Sequence, residues 1–169
     1  MQTKTKRITY CAVLIALGVL LKAYLKISFG DFLVLSLAPI VVMLSGVLLG
    51  PVLGGITGAL TDFLAAIIAP IGAYFPGYTL SMAMYGILPG LIVKKNPASF
   101  GRIALAVALA QITSSFLLNN LWLSVLTGLT FDQLWWRIIT SSICMGIYIV
   151  AVYLLNKMLP VQVRKPVSV

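Results

Sequence analysis

Apolar residues dominate this chain in long stretches, each ended by a short cluster of glycine, proline or charge. A bilayer-spanning helix needs about 20 mostly apolar residues. Six stretches qualify as candidate spans: residues 8–25, 32–49, 52–69, 74–94, 102–126 and 134–158. Between them lie Ser28-Phe29-Gly30-Asp31, Gly50-Pro51, Ala69-Pro70-Ile71-Gly72, Lys94-Lys95-Asn96-Pro97 and the segment from Thr127 to Asp132. Pro51 suits a first helical position, where its missing N–H costs nothing. The pattern predicts an all-α membrane protein of six transmembrane helices in one bundle, with residues 1–169 forming a single integral-membrane domain.

Composition strengthens that reading. The chain is 61% hydrophobic and 9% charged, against about half apolar and a quarter charged for a soluble domain. Too few polar residues remain to cover a water-soluble globule. The apolar run after the basic N-terminus has no small-residue cleavage site and continues to spanning length, so no cleavable signal peptide is expected. The net charge of +9 would suit nucleic acid, but basic residues flanking apolar spans set membrane topology instead. With the N-terminus inside, Lys4, Lys6, Arg7, Lys94, Lys95, Arg102, Lys157, Arg164 and Lys165 fall on the cytoplasmic side, nine of the twelve cations. Lys22, Lys26 and Arg137 fall in the outer half with all three acids, Asp31, Asp62 and Asp132. Both termini are therefore expected in the cytoplasm and no nucleic-acid partner is expected.

The candidate chemistry gathers at the outer end. Asp62 lies well inside the third span, where a charge costs about 2.5–3.5 kcal/mol on insertion scales. Gly54, Gly58 and Asp62 recur every four residues, so small residues and the carboxylate share a stripe suited to close helix packing. Asp62 then either takes part in a site, bonds a neighbouring helix or snorkels outward. Asn119 and Asn120, just before Trp122, serve as interhelical glue or as ligand contacts. Trp135, Trp136 and Arg137 form either an interfacial belt with its anchoring cation or part of a site. Lys22 and Lys26, one turn apart at the end of the first helix, present two ammonium groups to one face, for headgroups or for an anionic ligand. The stretch GAYFPGYTLS places Tyr74, Phe75, Pro76 and Tyr78 at a bend. Irregular backbone at membrane depth is tolerated where it lines a cavity, so these rings wall or cap a planar ligand, unless they form an interfacial belt.

Function classes narrow accordingly. Cys11 and Cys144 lie in apolar runs without paired or metal-like spacing, and the sequence holds no histidine. It offers no nucleophile–base pair, no metal cluster and no glycine-rich phosphate loop. The expectation is a protein that binds a small molecule without transforming it, uses no cofactor, is not an enzyme and does not hydrolyse ATP. At the inner end Ala12 and Ala16, four apart, form a small-xxx-small contact surface that is either internal or faces another protein. The alternating alanines at 104, 106, 108 and 110 give a similar smooth surface.

The stretch GDFLVLSLAPIVVMLSGVLLGPVLGGITGALTDFLAAI, followed by YFPGYTLSMAMYGILPG, resembles the substrate-binding S component of energy-coupling-factor vitamin transporters, and more narrowly its folate-specific type. The run from Phe75 to Ser81 is the most specific part. The Gly50-Pro51, Gly54-Gly55, Gly58 and Asp62 pattern belongs to the wider superfamily. The resemblance implies a six-helix bundle in a prokaryotic plasma membrane. It implies a vitamin site near the outer side, closed by outer loops, and docking onto a transmembrane scaffold driven by two cytosolic ATPases. The family's docking element falls on Ala12 and Ala16, and transport is expected to topple the whole component in the membrane. Folate suits the residues: its pterin can pair with a carboxylate or amide, its rings can stack on aromatics, and its anionic tail can meet Lys22, Lys26 or Arg137. Another vitamin or precursor (pantothenate, thiamine, a queuosine precursor) on the same fold stays open. So does a stand-alone ion-coupled transporter in which Asp62 titrates.

Overall fold

The structure is a computed structural model that describes residues 2–29, 33–70, 74–93, 99–127 and 131–158, with side chains placed at 5–25, 36–70, 74–93, 99–126 and 138–158. It is a helical bundle with one short hairpin. Helix α1 (Gln2–Tyr24) leads into strands β1 (Lys26–Phe29) and β2 (Leu33–Ser36). Helices α2 (Ala38–Leu49), α3 (Pro51–Ile68) and α4 (Pro76–Val93) follow. Helix α5 (Phe100–Gln111), a π-helical segment (Ile112–Asn119) and α6 (Asn120–Thr127) run on as one rod, and α7 (Phe131–Met158) closes the order.

Five of these elements are long and apolar enough to cross a membrane: Thr5–Tyr24, Pro51–Ile68, Pro76–Val93, Phe100–Leu126 and Ile138–Met158. The expected second span, 32–49, is instead a strand followed by a helix of 12 residues. Proline explains the difference. Pro39 sits in the first turn of α2, where its ring and missing N–H are tolerated. A helix extended further back would place that ring against the carbonyl four residues earlier. Residues 33–36 pair antiparallel with 26–29 instead, with Lys26 opposite Ser36 and Phe29 opposite Leu33. Ser36 Oγ then accepts from the Ala38 N–H at 3.4 Å, starting the helix. One site expectation changes with this. Helix α1 ends at Tyr24 and Lys26 lies in β1, so Lys22 and Lys26 do not share a helix face.

Helices α2, α3 and α4 form the tightest unit. Gly50, at φ 93°, is both the last cap of α2 and the first of α3, a left-handed turn that glycine makes at little cost. It folds α3 back along α2 so that Gly54 meets the backbone of both neighbours. A Cβ at Gly54 would lie 2.6 Å from Gly46 Cα and 2.6 Å from Gly86 O. Small residues at such crossings let backbones approach and gain dispersion contacts. The main core is built from Ile40, Val42, Met43, Met82, Tyr85, Ile103, Val107, Tyr148 and Val152 of α2, α4, α5 and α7. A second cluster joins Cys11 to Leu44, Leu48 and Leu49. The outward faces are apolar as well. Ile139, Ile143, Ile147, Val150 and Leu154 form an exposed stripe on α7, and Ile8, Val13, Leu17 and Leu20 are exposed on α1. A bundle apolar inside and out suits a hydrocarbon surround.

Cross-contacts define the two ends. At one, Arg7 Nη2 donates to Leu49 O at 2.9 Å and Phe100 meets Tyr153 edge-on at 5.1 Å. At the other, the end of α1, the end of α3, the start of α4 and α6 converge, and the candidate site lies there.

Candidate functional site at the pole where α1 and α3 end

Asp62 points into the bundle, its side chain 4% exposed. Both of its oxygens are engaged. Lys22, from the last turn of α1, pairs with Oδ1, and Thr79 in the first turns of α4 donates to Oδ2 at 2.6 Å. Tyr74 Oη lies 2.7 Å from Thr79 Oγ1. Thr79 has one hydroxyl proton and gives it to Asp62, so Tyr74 is the donor in that contact. The Tyr74 ring meets Phe63 edge-on at 5.8 Å. A buried carboxylate is tolerable when it is paired and its remaining lone pairs are bonded. This one ties together the ends of α1, α3 and α4.

Beside it stands an aromatic group. Phe75 meets Tyr78 at 5.9 Å and Trp122 at 5.5 Å, both edge-to-face. Pro76 opens α4 at an exposed position. Gly77 makes the Phe75–Trp122 approach possible, because any side chain there would collide with both rings. Two polar atoms in this neighbourhood are buried without a partner, Trp122 Nε1 and Asn119 Oδ1. Asn120 is half-buried beside them. Tyr78 and Trp122 are half-buried, whereas Tyr74 is 46% exposed at the rim.

Below this group the rod changes winding. Eight residues, Ile112–Asn119, are π-helical, a form that usually occurs as single-turn bulges and is frequent at functional sites. At its start Gln111 Oε1 and Ser114 Oγ are buried without partners, the residues being 3% and 0% exposed. Ser115 Oγ and Ser141 Oγ of α7 lie 3.0 Å apart. Thr61 Oγ1, next to Asp62, is a further buried atom without a partner.

The structure thus assembles Lys22, Asp62, Tyr74, Phe75, Pro76, Tyr78, Asn119, Asn120 and Trp122 at one pole. Lys26 is placed by its backbone in β1, and Trp135, Trp136 and Arg137 by theirs in α7; their side chains lie outside the described residues, as does Asp31. Ala12 and Ala16 are exposed on α1, about 9–15 Å along the axis from Lys22, and belong to a different surface. Sequence reasoning missed Thr79, Gln111 and Ser114. Thr79 was readable as the hydroxyl inside the aromatic bend. Gln111 was readable as an amide in an apolar run, the kind of residue that needs a partner in hydrocarbon.

Comparison with known proteins bears on what this pole does. A family model described as "ECF transporter, substrate-specific component" matches residues 6–158. The chain is 32% identical over 151 residues to a protein of Clostridium novyi (strain NT) named folate transporter FolT, covering 89% of this chain and 87% of that protein. It also superposes with a TM-score of 0.80, at 31% identity, on a crystal structure of FolT bound with folic acid, covering 90% of this chain and 94% of the other.

Proposed function

The chain belongs to the substrate-specific components of ECF transporters, and from that membership we propose that it is the folate-binding subunit of a vitamin importer in a prokaryotic plasma membrane. The observation that carries the proposal is the aromatic and amide group at one pole, in a chain that matches a folic acid-bound structure along nine-tenths of its length. Phe75, Tyr78 and Trp122 offer ring edges and faces to the flat rings of the ligand. Trp122 Nε1 is a donor and Asn119 Oδ1 an acceptor, both awaiting a partner. Tyr74, Pro76 and Asn120 complete the wall. Lys26 and Arg137, with Trp135 and Trp136, are assigned to the anionic tail. Lys22 and Asp62, already paired, hold the helix ends that carry these groups.

The pole faces outward in this reading, with both termini cytoplasmic and the whole chain acting as one domain. Binding changes no covalent bond, so the subunit is not an enzyme, and energy comes from elsewhere. Two cytosolic ATPases act through a transmembrane scaffold that meets the exposed Ala12–Ala16 face of α1. Support for that face is physical: small exposed residues flanked by Val13 and Leu17 admit a partner helix at close range.

Uptake of labelled folic acid into cells expressing the chain alone, and with scaffold and ATPase subunits, tests the proposal. Accumulation only in the complete set is expected. Full uptake by the chain alone, abolished by collapsing the ion gradient, would establish the ion-coupled alternative.

A further inference from the structure

We propose that Gln111 and Ser114, at the junction of α5 and the π segment, are specificity-determining residues that hydrogen-bond the polar edge of the ligand's heterocycle. The inference rests on the folate reading and extends its site beyond the aromatic pole.

Three observations converge on this junction. Gln111 Oε1 and Ser114 Oγ are buried in the bundle with no partner. A buried polar group left unpaired costs about as much as a lost hydrogen bond, so two of them three residues apart call for a partner, and a ligand edge that bonds both supplies one. The backbone here is π-helical, a winding that is rare overall and frequent at functional sites. The same rod carries, at its other end, the unpartnered Asn119 Oδ1 and Trp122 Nε1.

Spacing then defines the ligand. At the α-helical rise eleven residues would advance roughly 16 Å; the wider π winding of Ile112–Asn119 shortens this but still leaves positions 111 and 122 more than a turn and a half apart. One ring system cannot meet both ends, whereas an elongated molecule can. The deep end offers an amide oxygen that accepts and a hydroxyl that donates or accepts. That set complements an edge carrying an N–H donor beside an acceptor, the chemistry of an aminopyrimidinone ring. The aromatic pole then holds the middle of the ligand, and its anionic end lies further toward that pole.

Neighbouring side chains do not supply the missing partners. Ser115 bonds Ser141 of α7 and Tyr85 of α4, and Tyr148 donates to Ser36 O at 2.7 Å. Both atoms at the junction are closed off from solvent, so the ligand's edge enters as the rod and its neighbours part.

The test uses the purified full chain, titrated with folic acid and with pteroic acid, which keeps the heterocycle and lacks the glutamate tail. Gln111→Leu is expected to bind both about tenfold more weakly, and Ser114→Ala about threefold. Ligand-free melting should stay level or rise, because a desolvated polar group has been removed. Unchanged affinity for both ligands in either variant would overturn the proposal. So would weakening confined to folic acid, which would place Gln111 at the tail, or lower affinity accompanied by lower ligand-free melting, which would make it a packing residue. If Gln111→Leu does not fold, Ser114→Ala decides by the same criteria. A wild-type chain that binds neither ligand would instead overturn the folate reading.

Discussion

Replacing Lys22 by Met removes the ammonium facing Asp62 Oδ1 and leaves a carboxylate with a 4% exposed side chain holding only the bond from Thr79. Breaking a buried pair by removing one partner costs about 3–5 kcal/mol. The Lys22 side chain is 26% exposed, so water recovers part of that cost and about 2–3 kcal/mol is expected. Asp62→Asn should cost less, about 1–2 kcal/mol, because a half-open ammonium can turn to solvent and an amide oxygen still accepts from Thr79. With both changes made together, neither charge is stranded, and the loss should be about 2 kcal/mol rather than the sum of the two. A chain of this size loses about 2–4 °C per kcal/mol. Lys22→Met should therefore lower melting by about 4–12 °C, and the double variant should melt no lower than Lys22→Met alone. Tryptophan fluorescence melting of the ligand-free protein measures all four members of the cycle. Strict additivity, within about 0.5 kcal/mol, would refute the reasoning: the pair would then be a surface contact with no role in holding α1 to α3 and α4.

Four further outcomes are expected. Gly54→Ala places a methyl 2.6 Å from backbone atoms of both α2 and α4, so neither neighbour can yield alone, and about 3 kcal/mol should be lost. Gly146→Ala enters open space on α7 and should be neutral or gain up to about 1 kcal/mol; paired thermal melts compare them. Tyr148→Phe deletes the bond to Ser36 O and should cost about 1–2 kcal/mol, with faster amide exchange at the junction of β2 and α2. Phe75→Ala removes the ring that joins Tyr78 and Trp122 and should weaken folic acid binding about tenfold or more while lowering ligand-free melting by only a few degrees, read by titration and melting of one preparation.

Hydropathy alone located most of the helices, because each apolar run has to bury or lipid-solvate its whole length. The start of α3 was marked by Pro51, and the close crossing of α3 by Gly54 and Gly58, whereas Pro76, expected at a bend within a span from 74, instead opens α4. The hairpin was not legible from hydropathy, since Leu33, Val34 and Leu35 are as apolar as the helix they precede. The decisive signal was Pro39, which bars the helix from reaching back. The site was legible as a set of residue types at one depth, but not as partnerships. Nothing in the spacing of Lys22 and Asp62, forty residues apart, marks them as a pair, and that pairing ties the helix ends together in the ligand-free structure. The π segment was equally hidden, because an apolar run reads the same whether wound as α or π.

The central claim is that this chain is a folate receptor embedded in the membrane. Its most direct test is a calorimetric titration of the purified chain with folic acid, set beside pantothenate and thiamine. The account predicts saturable binding of folic acid at one site per chain and no heat from the other two. Saturation by pantothenate or thiamine with no response to folic acid would contradict it.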